Sequence, residues 1–260
     1  MIRSIKLSAL RGRFFLLKTT SLWVMAWMMA FICTTSMHPV HGQQAYRIKA
    51  ECTVKSKVVG GNEAGLILGT VFYDVRIGRL IFEVKFPQKE TWVFIDSVQW
   101  TIRNDTLINI KPSTLKPKLS VLHLSLNQQL GGFGLEQSGY SMSEVKTDQG
   151  LVISGWSPPA AARKKMGRIA LASRDRQLIS VIFYHPDGRI LRKQHFRKYQ
   201  RISNVSLPTE VVDEIFEKEK KVYQTTEYKN IVINEQTPDF YYRRDPKYRD
   251  LPRGTASPKR

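Results

Sequence analysis

The sequence predicts a mainly antiparallel β domain, and three observations predict it. Between residues 46 and 58 the apolar Tyr46, Ile48, Ala50, Cys52, Val54 and Val58 interleave with Arg47, Lys49, Glu51, Thr53, Lys55 and Lys57, the period-two pattern of a strand with one buried face. Pro186-Asp187-Gly188 separates two apolar-rich runs, 178–184 and 190–196, and Asp-Gly supplies the positive φ that a tight hairpin needs. Strand-like runs also recur at intervals of roughly 8–12 residues, the rhythm of sandwiches and barrels.

The first strand, 46–58, closes at Gly60-Gly61-Asn62, and 66–77 returns as the second. After Gly78-Arg79 comes a third, 80–86, with Leu80, Phe82, Val84 and Phe86 on one face; Pro87 ends it, because proline cannot donate to a ladder. Runs at 91–96 and 98–103, then 107–110 beyond the Asn104-Asp105 turn, continue the meander. At 119–130 the spacing changes, with Leu119, Leu122, Leu126 and Leu130 recurring at three and four, and Gly131-Gly132 stops this helix. Strand pattern resumes at 140–147, turns at Gln149-Gly150 and returns over 151–156. A basic loop, Arg163-Lys164-Lys165, leads to 169–173 and the Asp-Gly hairpin. A last hairpin joins 210–216 to 222–233 through Glu217-Lys218-Glu219-Lys220. Residues 237–260 are rich in Pro, Tyr, Arg and Asp without apolar period, so they are expected to form a basic disordered tail.

The amino terminus reads as an export signal. Arg3, Lys6, Arg11, Arg13 and Lys18 precede an uncharged apolar run, 22–33, with no acidic residue among them. As a helix that run reaches about 18 Å, short of a hydrocarbon core of about 30 Å. Val40, His41 and Gly42 suit cleavage before Gln43, giving a signal peptide of 1–42 and a domain of 43–236; an uncleaved inner-membrane anchor is the alternative. Phe31 and Ile32 before Cys33 lack the small residues that lipoprotein processing requires. Removing 1–42 takes five positive charges from a chain of net charge +19, and the rest stays basic enough to suit an anionic membrane surface or lipopolysaccharide rather than nucleic acid. Ordinary solvated faces explain the same charges equally well.

Catalytic chemistry is hard to find. Past residue 42 the histidines are His123, His185 and His195, none with a partner at motif spacing, and Cys52 is the remaining cysteine, placed as a small buried hydrophobe. HExxH, CxxC, GxSxG and P-loop patterns are absent from the sequence, and Gly131-Gly132-Phe133-Gly134 lacks the lysine of a phosphate site. The expectation is a protein that is not an enzyme, with no catalytic residue, metal or cofactor. The run 178–184 is apolar on both sides, with Ile179, Val181 and Phe183 opposed by Leu178 and Ile182; it is either a central buried strand or part of a sheet lining an apolar cavity.

The order of elements resembles the LolA-type outer-membrane lipoprotein carriers and related periplasmic lipoprotein-sorting domains. The likeness lies in Gly69-Thr70-Val71-Phe72-Tyr73, Arg79-Leu80-Ile81-Phe82-Glu83-Val84, Phe86-Pro87, and Trp92-Val93-Phe94-Ile95-Asp96 with Trp100. It continues in Leu151-Val152-Ile153-Ser154, in Ile179-Ser180-Val181-Ile182-Phe183 before Asp187-Gly188, and in Phe196-Arg197-Lys198-Tyr199, spanning roughly residues 46–205. The resemblance implies an incomplete antiparallel β barrel, a half-barrel with short helices covering the concave face, whose apolar interior shelters acyl chains. It also implies that a basic residue before the third strand, here Arg76, contacts the lid. One departure is plain: carriers begin with a helix in the barrel mouth, and here strand pattern starts three residues after the expected cleavage point.

These readings converge on a periplasmic binder or carrier of lipoprotein acyl chains or phospholipid, in transfer to the outer membrane. Phe72, Leu80, Phe82, Val84, Trp92, Phe94, Trp100, Leu122 and Phe183 are the candidate cavity residues. The alternative is an envelope assembly or stress-signalling component that uses the same fold to contact envelope proteins through its basic tail. A periplasmic hydrolase is a distant third.

Overall fold

The structure is a computed structural model that describes residues 44–217 and 220–245; the expected signal peptide and residues 246–260 lie outside them. Thirteen strands form one antiparallel sheet that is not closed into a barrel. They are β1 (Arg47–Val58), β2 (Ala64–Asp74), β3 (Arg79–Phe86), β4 (Glu90–Ile95), β5 (Val98–Arg103), β6 (Thr106–Pro112), β7 (Ser141–Asp148), β8 (Leu151–Ser157), β9 (Ile169–Arg174), β10 (Gln177–Tyr184), β11 (Ile190–Ile202), β12 (Val205–Glu217) and β13 (Lys220–Ile233). The spatial order runs β6 to β1, then β13 back to β7. The first and last strands therefore pair in the middle, while β6 and β7 form the two edges.

The chain must travel from one edge to the other between β6 and β7, and it does so across one face of the sheet. This connection holds a 3₁₀ turn (Pro117–Leu119) and helix α1 (Val121–Leu126). α1 rests on β2 and β12, the strands flanking the central pair. Ser120 caps it, its side chain accepting from the backbone N–H of His123 at 3.2 Å, which satisfies one of the donors a helix start leaves open. The spacing of Leu119, Leu122, Leu126 and Leu130 predicts one helix over 119–130. The helix ends at Leu126, Gln128 takes a positive φ of 57°, and Leu130 is buried from the turns that follow.

Two buried clusters lie under this plug. Leu122 and Leu126 join Ile48, Ala50, Cys52, Tyr73, Phe82 and Phe94 over the first half of the sheet. Leu124, Leu130 and Phe133 join Trp156, Leu171, Val181 and Phe196 over the second. A third cluster occupies the opposite, outer face: Phe72, Ile81, Val93, Ile102 and Leu107 lie beneath Tyr242 of a short helix, α2 (Phe240–Arg243). Residues 237–245, expected to begin a disordered tail, are therefore packed on the sheet, with Tyr242 fully buried.

Local irregularities follow from identifiable residues. Pro208 lies inside β12, but opposite Tyr199 of β11 and before β13 pairing begins at Glu210. It occupies a stretch with one free edge, where a missing donor is tolerated. In β10 a register shift between Leu178 and Ser180 brings Leu178 and Val181 into the same plug-side cluster. At Gly69 a Cβ would sit 2.2 Å from the Glu83 carbonyl oxygen and 2.6 Å from the Phe82 ring. Gly69→Ala is expected to lower stability by about 2–3 kcal/mol, by analogy with overpacked cores, as a reduced urea midpoint at unchanged slope.

Candidate functional site

The surface that could hold an apolar ligand is the plug-side face of β1–β4, where Leu80, Phe82, Val84, Phe94 and Leu122 form one cluster with Trp92 packed against it. Register explains the grouping: Leu80 pairs with Tyr73 and Phe94, and Phe82 with Val71 and Trp92. The Phe82 and Trp92 rings meet edge-on at 5.7 Å between centroids, a favoured aromatic geometry. Phe183 belongs to the second cluster, 5.8 Å from the Phe133 ring of the plug. Phe72 and Trp100 face the other way, into the outer cluster. Alternation identified the faces of β2 and β5, but a run such as Val71-Phe72-Tyr73 is apolar on both and does not reveal which face meets the plug.

In this state the seam is filled. Leu122 and Leu124 are 1% exposed, and a pocket at the carboxyl end of α1, between Leu130, Leu178, Tyr199 and Asn204, has a cavity volume of about 230 Å³. Pockets that enclose drug-sized ligands measure roughly 300–1,000 Å³, so this one is too small for a lipid. An acyl chain would have to take the place of the plug's own leucines.

A polar contact fastens α1 to β2. Nδ1 of His123 lies 2.5 Å from the Tyr73 hydroxyl, and burial, helped by Lys118, lowers the His123 pKa below its ordinary value. A neutral imidazole accepting from Tyr73 fits both facts. Tyr73→Phe removes one hydrogen bond and is expected to cost about 1 kcal/mol, seen as a lower denaturation midpoint. Because the folded-state pKa of His123 is depressed, its contribution is present above the unfolded value, roughly 6.5, and is lost as pH falls below it.

Arg76 is not at the plug. It is exposed, stacks on the Tyr46 ring at 3.6 Å and pairs with Asp74 at 3.3 Å. What sequence reasoning missed is the neighbouring ionic hub. Arg47, in the charged set of β1, is buried, and its Nε donates to Asp74 at 2.9 Å. The same guanidinium donates to the Thr237 carbonyl at 3.1 Å and to Asp239 at 2.6 Å, and lies 4.1 Å above the Tyr242 ring. Asp74 in turn accepts from the backbone N–H of Arg76 at 2.9 Å. The hub ties the carboxyl-terminal segment to the outer face, and Arg244 adds a pair with Glu83.

The groups considered for chemistry are scattered. His123 is on the plug, His185 pairs with Asp187 at 2.8 Å in the β10–β11 turn, and His195 faces Glu214 of β12 at 3.8 Å. Cys52 is buried, its thiol pushed up to about 12 by desolvation, far from the thiolate a nucleophile requires. Among the described residues no group of three or more His, Cys, Asp or Glu is placed to hold a metal ion.

No protein-family model matches the sequence, and no curated protein matches it. Solved structures do match in fold. A LolA superfamily protein from Nitrosomonas europaea aligns with a TM-score of 0.53 at 10% identity, over 76% of this chain and 90% of that one. A DUF1329 family protein from Desulfovibrio piger aligns with 0.53 at 11% identity, over 86% and 96%. A domain named for outer membrane lipoprotein sorting, from Vibrio parahaemolyticus, aligns with 0.53 at 10%, over 75% and 89%. The fold is that of the LolA-like structures; at such identity the likeness extends to architecture alone.

Proposed function

We propose that this chain is a periplasmic binder or carrier of lipid, with lipoprotein acyl chains or phospholipid held on the plug-side face and passed toward the outer membrane. The observation that carries the reading is the composition of that seam: Leu80, Phe82, Val84 and Phe94 from strands, opposed by Leu122 and Leu126 from a six-residue helix. A short helix capped at Ser120 and fastened through His123 is a cover that can be exchanged for an apolar ligand of similar width. Each methylene transferred to this face contributes about 0.8 kcal/mol, so binding needs area and no catalytic group.

The test is native mass spectrometry of protein purified gently from its own envelope, followed by lipid extraction. Stoichiometric acyl lipid that is lost in Phe94→Glu supports the carrier. Ligand-free protein that co-purifies with a fixed set of envelope proteins sinks it. The second reading, an assembly or signalling component, then takes its place, and the anchoring of residues 237–245 by Arg47 favours it because the basic tail then leaves from a fixed point.

A further inference from the structure

The outer face of the sheet is covered only in part. The carboxyl-terminal segment shields Phe72, Ile81, Val93 and Ile102, but farther along the same strands Leu66, Leu68 and Phe86 remain 40%, 36% and 47% exposed. Register joins them into one patch. A register shift between Val84 and Phe86 carries Phe86 off the face that alternation gives it with Leu80, Phe82 and Val84 and sets it opposite Leu68. Lys55 lies opposite Leu66, and Lys57 opposite Ala64 on one side and Tyr223 on the other, Tyr223 being 40% exposed. An apolar group of this kind with a rim of lysines is uncommon on a surface that meets only water.

The charges around it are unequal. Glu227 pairs with Lys55 and Glu83 with Arg244, while Glu51, opposite Thr70, and Glu63, at the β1–β2 hairpin, are exposed. Lys57, Lys85 and Lys89 are exposed, and among the described residues no carboxylate pairs with them. We propose that this patch docks on an anionic phospholipid membrane surface, with Leu66, Leu68 and Phe86 entering the interfacial layer and Lys57, Lys85 and Lys89 meeting headgroup phosphates. Tyr223 fits the same layer, because its ring is apolar and its tip polar. The chain's own tail is a poorer occupant: residues 246–260 carry Lys247, Arg249, Arg253, Lys259 and Arg260 against Asp250, so the lysine rim repels it. Docking stands apart from the carrier reading, since it uses the opposite face.

The experiment attaches an environment-sensitive dye to Gln88→Cys, in the loop after Phe86, or to Asp148→Cys on the far edge strand. Both are made in the full chain carrying Cys33→Ser, and buried Cys52 does not label. Vesicles of phosphatidylglycerol and phosphatidylethanolamine in equal parts are compared with phosphatidylcholine alone. The expected result is a blue shift at position 88, not at 148, on the anionic vesicles only. Lys57→Gln, Lys85→Gln and Lys89→Gln should each weaken it about fivefold, and salt should weaken it further. Equal shifts at both positions or on both vesicle types overturn the proposal. So does a lipid-free shift that grows with protein concentration, which assigns the patch to a second copy, or one abolished by truncation after Asp245, which assigns it to the tail. Chain that docks but yields no extractable lipid upholds this inference while removing the carrier reading.

Discussion

Asp74→Ala is expected to destabilise the domain by about 3–5 kcal/mol, because removing one partner of a buried ion pair strands the other charge. Asp74 is fully buried and the Arg47 side chain is 6% exposed, so the guanidinium would keep Asp239, itself largely exposed, as its remaining carboxylate. The loss should be concentrated at the carboxyl-terminal segment. Fast hydrogen exchange around Tyr242 and a lower urea midpoint are the expected readouts, and normal protection there in the variant would show that the hub does not hold the segment. A combined Arg47→Met, Asp74→Leu change should recover much of the stability, since a well-packed apolar pair of similar volume avoids the desolvation of both charges. Acid gives an independent check. Burial alone would raise the Asp74 carboxyl, but hydrogen bonds from Arg76 and Arg47 hold it below the usual carboxylate range. A depressed folded-state pKa contributes stability that is present above the unfolded value, about 3.9, and lost as pH falls through the folded one. The wild-type stability curve should therefore drop below about pH 4, and the Asp74→Ala curve should be flatter there.

This hub also marks where sequence reasoning ends. The strand pattern was legible because one buried face per strand imposes alternation: β1 follows the apolar spacing closely, and β3 follows it as far as Val84, beyond which Phe86, expected on the same face, is 47% exposed. The Asp-Gly hairpin was legible because few residues tolerate its backbone, and Gly188 takes a φ of 91°. Arg47 was not, since its burial depends on Asp74, 27 positions away, and Asp239, 192 positions away; locally it is one more charge on an alternating strand. Tyr241 and Tyr242 sit among Arg, Asp and Pro, so nothing periodic announces that both pack against the Phe72 ring, at 5.6 and 5.5 Å. The candidate cavity was legible in part for the same reason: alternation separates Phe72 from Val71 and Tyr73, and only the path of the plug decides which side is lined.

That path is held in place by Leu122 of α1. Leu122→Asp is expected to cost about 4 kcal/mol or more, the scale of deleting a buried leucine with a desolvated carboxyl added. Leu122 is 1% exposed and touches the Leu80, Phe82 and Phe94 cluster. The backbone ladders of β1–β6 and β8–β13 do not involve the plug, so the sheet can persist while the segment between β6 and β7 lifts away. The expected signature is retained far-ultraviolet circular dichroism together with a marked rise in binding of a hydrophobic dye, as apolar surface becomes accessible. If the seam is a lipid site, the same variant should take up a fluorescent phospholipid faster than wild type, because the leucine that competes for the face has been removed. Cooperative loss of the whole sheet would instead make the plug an inseparable part of the core, and a core that cannot open without unfolding cannot exchange its helix for an acyl chain.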